Sequence, residues 1–271
     1  MRFAICNELF EPAPLAEVAR TCAALGYEGL ELAPFTLGRE PAELSATQRR
    51  QLRHEVEDAG LKVVGLHWLL ARTTGFHLTA LDPAVRQRTA ARLAELAHLC
   101  RDLGGELLVL GSPQQRSLPP GMTHAEGMRL AAETLTQLLP ALERYQIDLC
   151  LEPLGPSETN FLNTCAEALS LAQSVNHPRL RLHLDVKAMA TEAVPITDLI
   201  RQYGPQARHF HANDPNRRGP GFGALDFTPI FASLREAGYS GWVSVEVFDY
   251  TPDPLTIARE SLATMRRCLA A

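Results

Sequence analysis

Four short β-rich runs end in side chains that could bind a metal ion or move a proton. Ile147-Asp148-Leu149-Cys150-Leu151 leads to Glu152, Leu182-His183-Leu184 to Asp185, His209-Phe210 to His211, and Val243-Ser244-Val245 to Glu246. The first reads as a buried strand, apolar on both faces as in a parallel sheet covered by helices, and Pro153 ends it because its nitrogen has no hydrogen to donate. Glu152 is therefore expected where the strand meets solvent. Roughly 30 residues, one strand-helix unit, separate each of these termini from the next, so the four groups are predicted at equivalent depth on strands 5, 6, 7 and 8. Three carboxylates packed together repel one another and titrate high unless a cation offsets the charge, so Glu152, Asp185, His211 and Glu246 read as a divalent-metal site. This mixed oxygen and nitrogen set suits one ion, Mn²⁺ first, with Mg²⁺, Co²⁺ and Zn²⁺ as alternatives.

The elements that must position these groups are legible as an alternation of strand and helix patterns. Phe3–Cys6 precedes a helical pattern over Leu15–Leu25 that stops at Gly26, and residues 27–34 make a second strand. Ser45 caps a helix that ends at Gly60, residues 61–67 form a third strand, and Asp82-Pro83 opens a long amphipathic helix that ends at Gly104-Gly105. The fourth strand, 106–110, ends at Gly111 and not at an acid. A proline-rich loop over 112–122 and a helix over 123–145 lead to the Glu152 strand, and further helices are predicted near 166–175, 196–203, 228–237 and 255–268. Eight strand-helix pairs with right-handed crossovers predict an α/β fold, a closed (β/α)8 TIM barrel forming a single domain over 1–271. Period-two alternation turns Cys150, His183, His209 and Ser244 inward and Leu151, Leu184, Phe210 and Val245 toward the helices. His183 and His209 are expected to be interior hydrogen-bonding residues, and Glu31 and His67 end strands 2 and 3 as either pocket wall or packed interior.

Composition narrows the chemistry. At 271 residues, 46% hydrophobic and 21% charged, the chain is long enough for a barrel core and too apolar for disorder. A net charge of −5 gives no electrostatic footprint for nucleic acid, so no nucleic-acid partner is expected. Six cysteines without a CxxC pair favour buried thiols in place of a disulfide framework. No apolar run is long enough to span a bilayer, and Met1-Arg2 leads directly into a strand-like run, so a cytoplasmic protein with no membrane association is expected.

Leu-Glu-Pro at 151–153, the four strand-end residues, and Asn216-Arg217 in the glycine-rich loop beyond His211 together resemble the xylose isomerase-like TIM-barrel superfamily. Within it the chain resembles the sugar phosphate isomerase/epimerase group typified by D-tagatose 3-epimerase and D-psicose 3-epimerase. The resemblance implies a metal-dependent isomerase or epimerase of a small polyhydroxy ketone or sugar phosphate, transferring a proton through a metal-bound cis-enediolate. Carried onto this sequence, Glu152 and Glu246 are the catalytic pair as well as metal ligands, Glu158 and Arg217 bind substrate, and His67 joins them on the substrate side. Homodimers or homotetramers are compatible with it. The same four ligands serve hydroxypyruvate isomerases and inosose dehydratases, so a hydroxypyruvate-type isomerase, an inosose-type dehydratase, and metal-dependent ligand binding without turnover stand as alternatives. The pattern is shared with endonuclease IV, but Gly111-Ser112 occupies that enzyme's strand-4 ligand region and residues 219–227 lack its Asp-x-His. One departure from the epimerase group is Ala188, where those enzymes carry a histidine three residues after the strand-6 aspartate; Lys187 is the nearest substitute charge.

Overall fold

Alternating β-rich and amphipathic segments give alternating elements in the computed structural model, which describes residues 1–38 and 40–271. In chain order these are β1 (Arg2–Cys6), α1 (Leu15–Leu25), β2 (Gly29–Leu32), α2 (Ala46–Glu57), β3 (Lys62–Leu66), α3 (Pro83–Asp102), β4 (Leu107–Leu110) and α4 (His124–Tyr145). There follow β5 (Asp148–Leu151), α5 (Cys165–Val175), β6 (Leu180–Asp185), α6 (Val186–Met189), α7 (Ile196–Tyr203), β7 (Ala207–Ala212), α8 (Thr228–Glu236), β8 (Trp242–Val245) and α9 (Pro254–Ala270). Each strand pairs in parallel with the next, and β8 pairs with β1, closing the barrel without an edge. The fold is a TIM barrel with its helices between strands, as the alternation predicts.

Local chemistry sets the boundaries. Ser45 accepts from the Gln48 amide and Thr123 from the Glu126 amide, each in a reciprocal capping box, while Asp82 caps α3 with Pro83 in its first turn. Gly26 ends α1 at φ 98°, a left-handed conformation that costs glycine nothing. Differences from the sequence reading are small and physical. The second strand is four residues, because Pro34 opens a 3-10 turn. The short helix α6 is unpredicted; it forms because the Asp185 side chain accepts from the Ala188 amide and caps it, too local a signal for periodicity to register.

Burial follows the predicted alternation. Leu151, Leu184, Phe210 and Val245 join the large core between sheet and helices, while Cys150 packs in the barrel interior with Ala4, Val64, Val109 and Trp242. Phe210→Ala would empty a ring-sized space in that layer and is expected to lower stability by about 3–5 kcal/mol, read as a fall in the urea midpoint. All six cysteines are buried and unpaired. Among the described residues no helix is long and apolar enough to cross a membrane.

Candidate active site

The C-terminal ends of the strands carry the predicted groups to one place. Asp185 ends β6 in register with His211 on β7, and Glu152 and Glu246 follow the last residues of β5 and β8. His211 Nδ1 lies 3.1 Å from Glu246 Oε2 and 3.8 Å from Glu152 Oε1, so the two glutamates converge on one nitrogen of the imidazole. Glu152, Asp185, His211 and the interior His183 bring ligand atoms within 4.8 Å of one another. All are buried, with His183, Asp185 and His211 at 0% exposure. Both His183 ring nitrogens lack a hydrogen-bond partner, and Nε2 lies 3.7 Å from Glu152 Oε1.

Electrostatics separates the two glutamates. Burial, and then the nearby Glu246 charge, pushes the Glu152 carboxyl up to about 8. Burial also acts to raise Glu246, but the charge and hydrogen bond of His211 and the hydrogen bond from His67 outweigh it and hold this carboxyl far below the usual range. His67 is itself shifted: burial acts to lower it, yet Glu8 and Glu246 on its two sides lift it to about 10. It donates from Nε2 to Glu8 Oε2 at 2.9 Å and from Nδ1 to Glu246 Oε1 at 3.2 Å, and the Trp68 indole donates to the same Glu246 oxygen at 3.0 Å. Glu246 is thereby held by three side chains from two strand ends, His67 and Trp68 after β3 and His211 on β7.

Supports from outside the predicted set complete the arrangement. Asn213, two residues beyond His211, donates to Asp185 Oδ2 at 2.6 Å and accepts from the Lys187 amide, tying the β6 and β7 termini together. Arg116, buried in the proline-rich loop, donates to the main-chain carbonyls of Glu152 at 2.5 Å and Leu162 at 3.2 Å. Gly111 explains why β4 ends without a side chain: a Cβ there would collide with Glu152 Oε2. Its backbone is outside the left-handed region, so Gly111→Ala tests the collision alone. That variant is expected to displace the Glu152 carboxylate and lower turnover at least tenfold with little change in melting temperature.

These groups open into a cavity of about 450 Å³. Phe35, Trp68, Phe248 and Tyr250 supply aromatic walls, and Glu8, Glu11, Glu152, Glu158 and Glu246 line it with acid. Among the described residues Arg72 is the one arginine or lysine of the lining; it forms two hydrogen bonds to Glu11 and lies 3.9 Å from the Phe35 ring centre.

Comparison with known proteins places this geometry in a family. The family model described as "Xylose isomerase-like TIM barrel" matches residues 19–268. The chain belongs to the xylose isomerase-like TIM-barrel family. Among curated relatives of this family member, the D-psicose 3-epimerase of Ruminiclostridium cellulolyticum is 30% identical over 83% of this chain and 75% of its own. The fructoselysine 3-epimerase of Escherichia coli O157:H7 is 23% identical over 94% of both chains. A crystal structure of D-psicose 3-epimerase obtained in the presence of D-fructose superposes with a TM-score of 0.87 at 24% identity over the whole of both chains, a likeness of fold. Family and relatives agree on an isomerase.

Set against the xylose isomerase-like pattern, the predicted residues divide. Glu152, Asp185, His211 and Glu246 are brought together, and His67 and Glu158 line the cavity. Glu158 pairs with Lys187 Nζ at 2.6 Å, and that ammonium lies 4.8 Å from the Phe248 ring centre. Ala188 is buried, its amide occupied by Asp185. Arg217 is exposed outside the cavity lining, with its guanidinium carbon 5.9 Å from the Phe248 ring centre and its carbonyl accepting from the amides of Phe248 and Asp249. Glu152, Asp185, His211 and the unpartnered His183 are a donor set that a divalent cation fits, with Glu246 beside it on His211 Nδ1.

Proposed function

We propose that this chain is a divalent-metal-dependent sugar epimerase or isomerase acting on the carbon beside a ketone. The observation that carries the reading is the convergence of Glu152 and Glu246 on His211 Nδ1, both lining a cavity large enough for a small polyhydroxy ketone. Glu152, Asp185, His211 and Glu246 would hold the cation, which supplies Lewis-acid stabilisation of the charge that develops on the ketone oxygen. The donor set suits Mn²⁺.

Glu246, oriented by hydrogen bonds from His67 and the Trp68 indole, takes the carbon-bound proton. Glu152 returns a proton from the other side, and the roles reverse for the opposite epimer. The cavity places both within reach of one substrate, and its aromatic walls exclude water from the carbanion-like centre. Glu158 and Lys187, as a paired charge at the wall, fill the role of the absent histidine at 188 by presenting a polar partner to a substrate hydroxyl. Arg217 would reach substrate from the rim beside Phe248.

The lining also discriminates among substrates. Among the described residues the lining carries five carboxylates and one arginine, itself committed to Glu11, an acidic wall that would repel a phosphate and favours an unphosphorylated ketose. The six free, buried thiols support a cytoplasmic setting. A panel of free ketoses and their phosphates, incubated with Mn²⁺-loaded protein and resolved by chromatography, tests this reading. Conversion of at least one free ketose, with its phosphate turned over more slowly, is expected. Turnover confined to phosphates would overturn the substrate assignment.

A further inference from the structure

Glu31 belongs neither to the predicted ligands nor to the cavity wall, yet it is a fully buried carboxylate at 0% exposure inside the barrel. Burial without a partner would cost several kcal/mol, so what it touches decides what it does. Its side chain meets two donors. His209 Nε2 lies 2.7 Å from Oε2, and His211 Nε2 lies 3.2 Å from both oxygens. His209 is fixed in turn by the Ser244 hydroxyl at 3.3 Å from the same nitrogen.

The consequence falls on His211. An imidazole can ligate a metal through one nitrogen while the other carries a proton, and the partner of the second nitrogen selects which is which. Here Nε2 faces a carboxylate and must be the N–H, while Nδ1 faces Glu246 and Glu152. We infer that Glu31 is a positioning residue for the metal site, fixing the ring of His211 and its tautomer so that Nδ1 alone is presented as a ligand. It does so from strand β2, on the other side of the barrel from β7, and His209 locks its second face. The inference rests on the divalent-metal reading above, and it extends that reading to a residue that touches neither cation nor substrate.

The test measures metal binding and imidazole chemistry, leaving turnover aside. Titration calorimetry of Mn²⁺ into metal-free protein is expected to give a dissociation constant 10- to 100-fold weaker for Glu31→Gln than for the parent, the range typical of losing such a partner. A purely structural role would lower the melting temperature of the variant without that shift. Equal affinity in a folded Glu31→Gln protein would overturn the inference while leaving the metal reading intact. Absence of Mn²⁺ binding by the parent would overturn both. Should the variant fail to fold, ¹⁵N-histidine spectra of the unaltered protein loaded with diamagnetic Zn²⁺ decide: a protonated Nε2 and a metal-shifted Nδ1 are expected for His211, and the opposite tautomer would refute the inference.

Discussion

Replacing Glu246 by glutamine is expected to reduce turnover by about 10²–10⁴-fold on any ketose the parent converts, since that is the contribution a positioned general base makes. The substitution keeps the volume and one potential ligand oxygen. It removes the charge that His67, Trp68 and His211 all converge on. Mn²⁺ affinity should fall far less than turnover, because three other donors persist. Glu152→Gln is expected to abolish net epimerisation too, by a complementary route. If each glutamate serves one face of the substrate, each variant exchanges solvent hydrogen with only one of the two epimers. The measurement is deuterium uptake by each epimer separately, followed by NMR. Near-normal turnover in both variants would dismiss the pair and move the chemistry to Lys187 or His67, two other titratable groups at the cavity.

Stripping the metal should be equally severe. Dialysis against a chelator is expected to abolish turnover, with Mn²⁺ restoring it, because Asp185, Glu152 and Glu246 then face one another without a cation. A ligand that binds only the folded state at a hundred times its dissociation constant stabilises by about 2.7 kcal/mol. For a chain of this size that corresponds to a rise in melting temperature of roughly 5–10 °C on loading. Elemental analysis of the dialysed protein makes the outcome decisive. Full activity in protein shown to be free of divalent metal would contradict the assignment of these residues as a metal site.

The residues that proved easiest to read were those whose position is set by strand periodicity. Glu152, Asp185, His211 and Glu246 each end a short β-rich run, so the barrel's own geometry brings them together once the strands are recognised. His183 and His209 were readable as interior for the same reason. Gly111 was visible as an exception, but the reason for it lies in the carboxylate of a residue on the next strand. What sequence could not supply was contact between distant segments. Glu8 sits in a 3-10 turn after β1 and reaches His67, and Glu31 reaches His209 and His211 across the barrel. Arg116 lies in a loop without periodicity, where a surface residue and a buried guanidinium look alike. Arg217 illustrates the converse: a motif match located its loop, while the side chain's direction depends on a left-handed backbone at φ 74° that no motif encodes.

The central claim, proton transfer at a carbon beside a ketone between two glutamates, is tested most directly by running the reaction in D₂O with Mn²⁺-loaded protein on a free ketose that it epimerises. Product carrying one deuterium at the inverted carbon, formed at a rate that vanishes with chelation, is the expected result, since the proton removed by one carboxylate is replaced from the other and both exchange with solvent. Epimerised product with no solvent deuterium at that carbon would contradict the account, because inversion would then proceed without the two-glutamate proton transfer that the geometry around His211 supports.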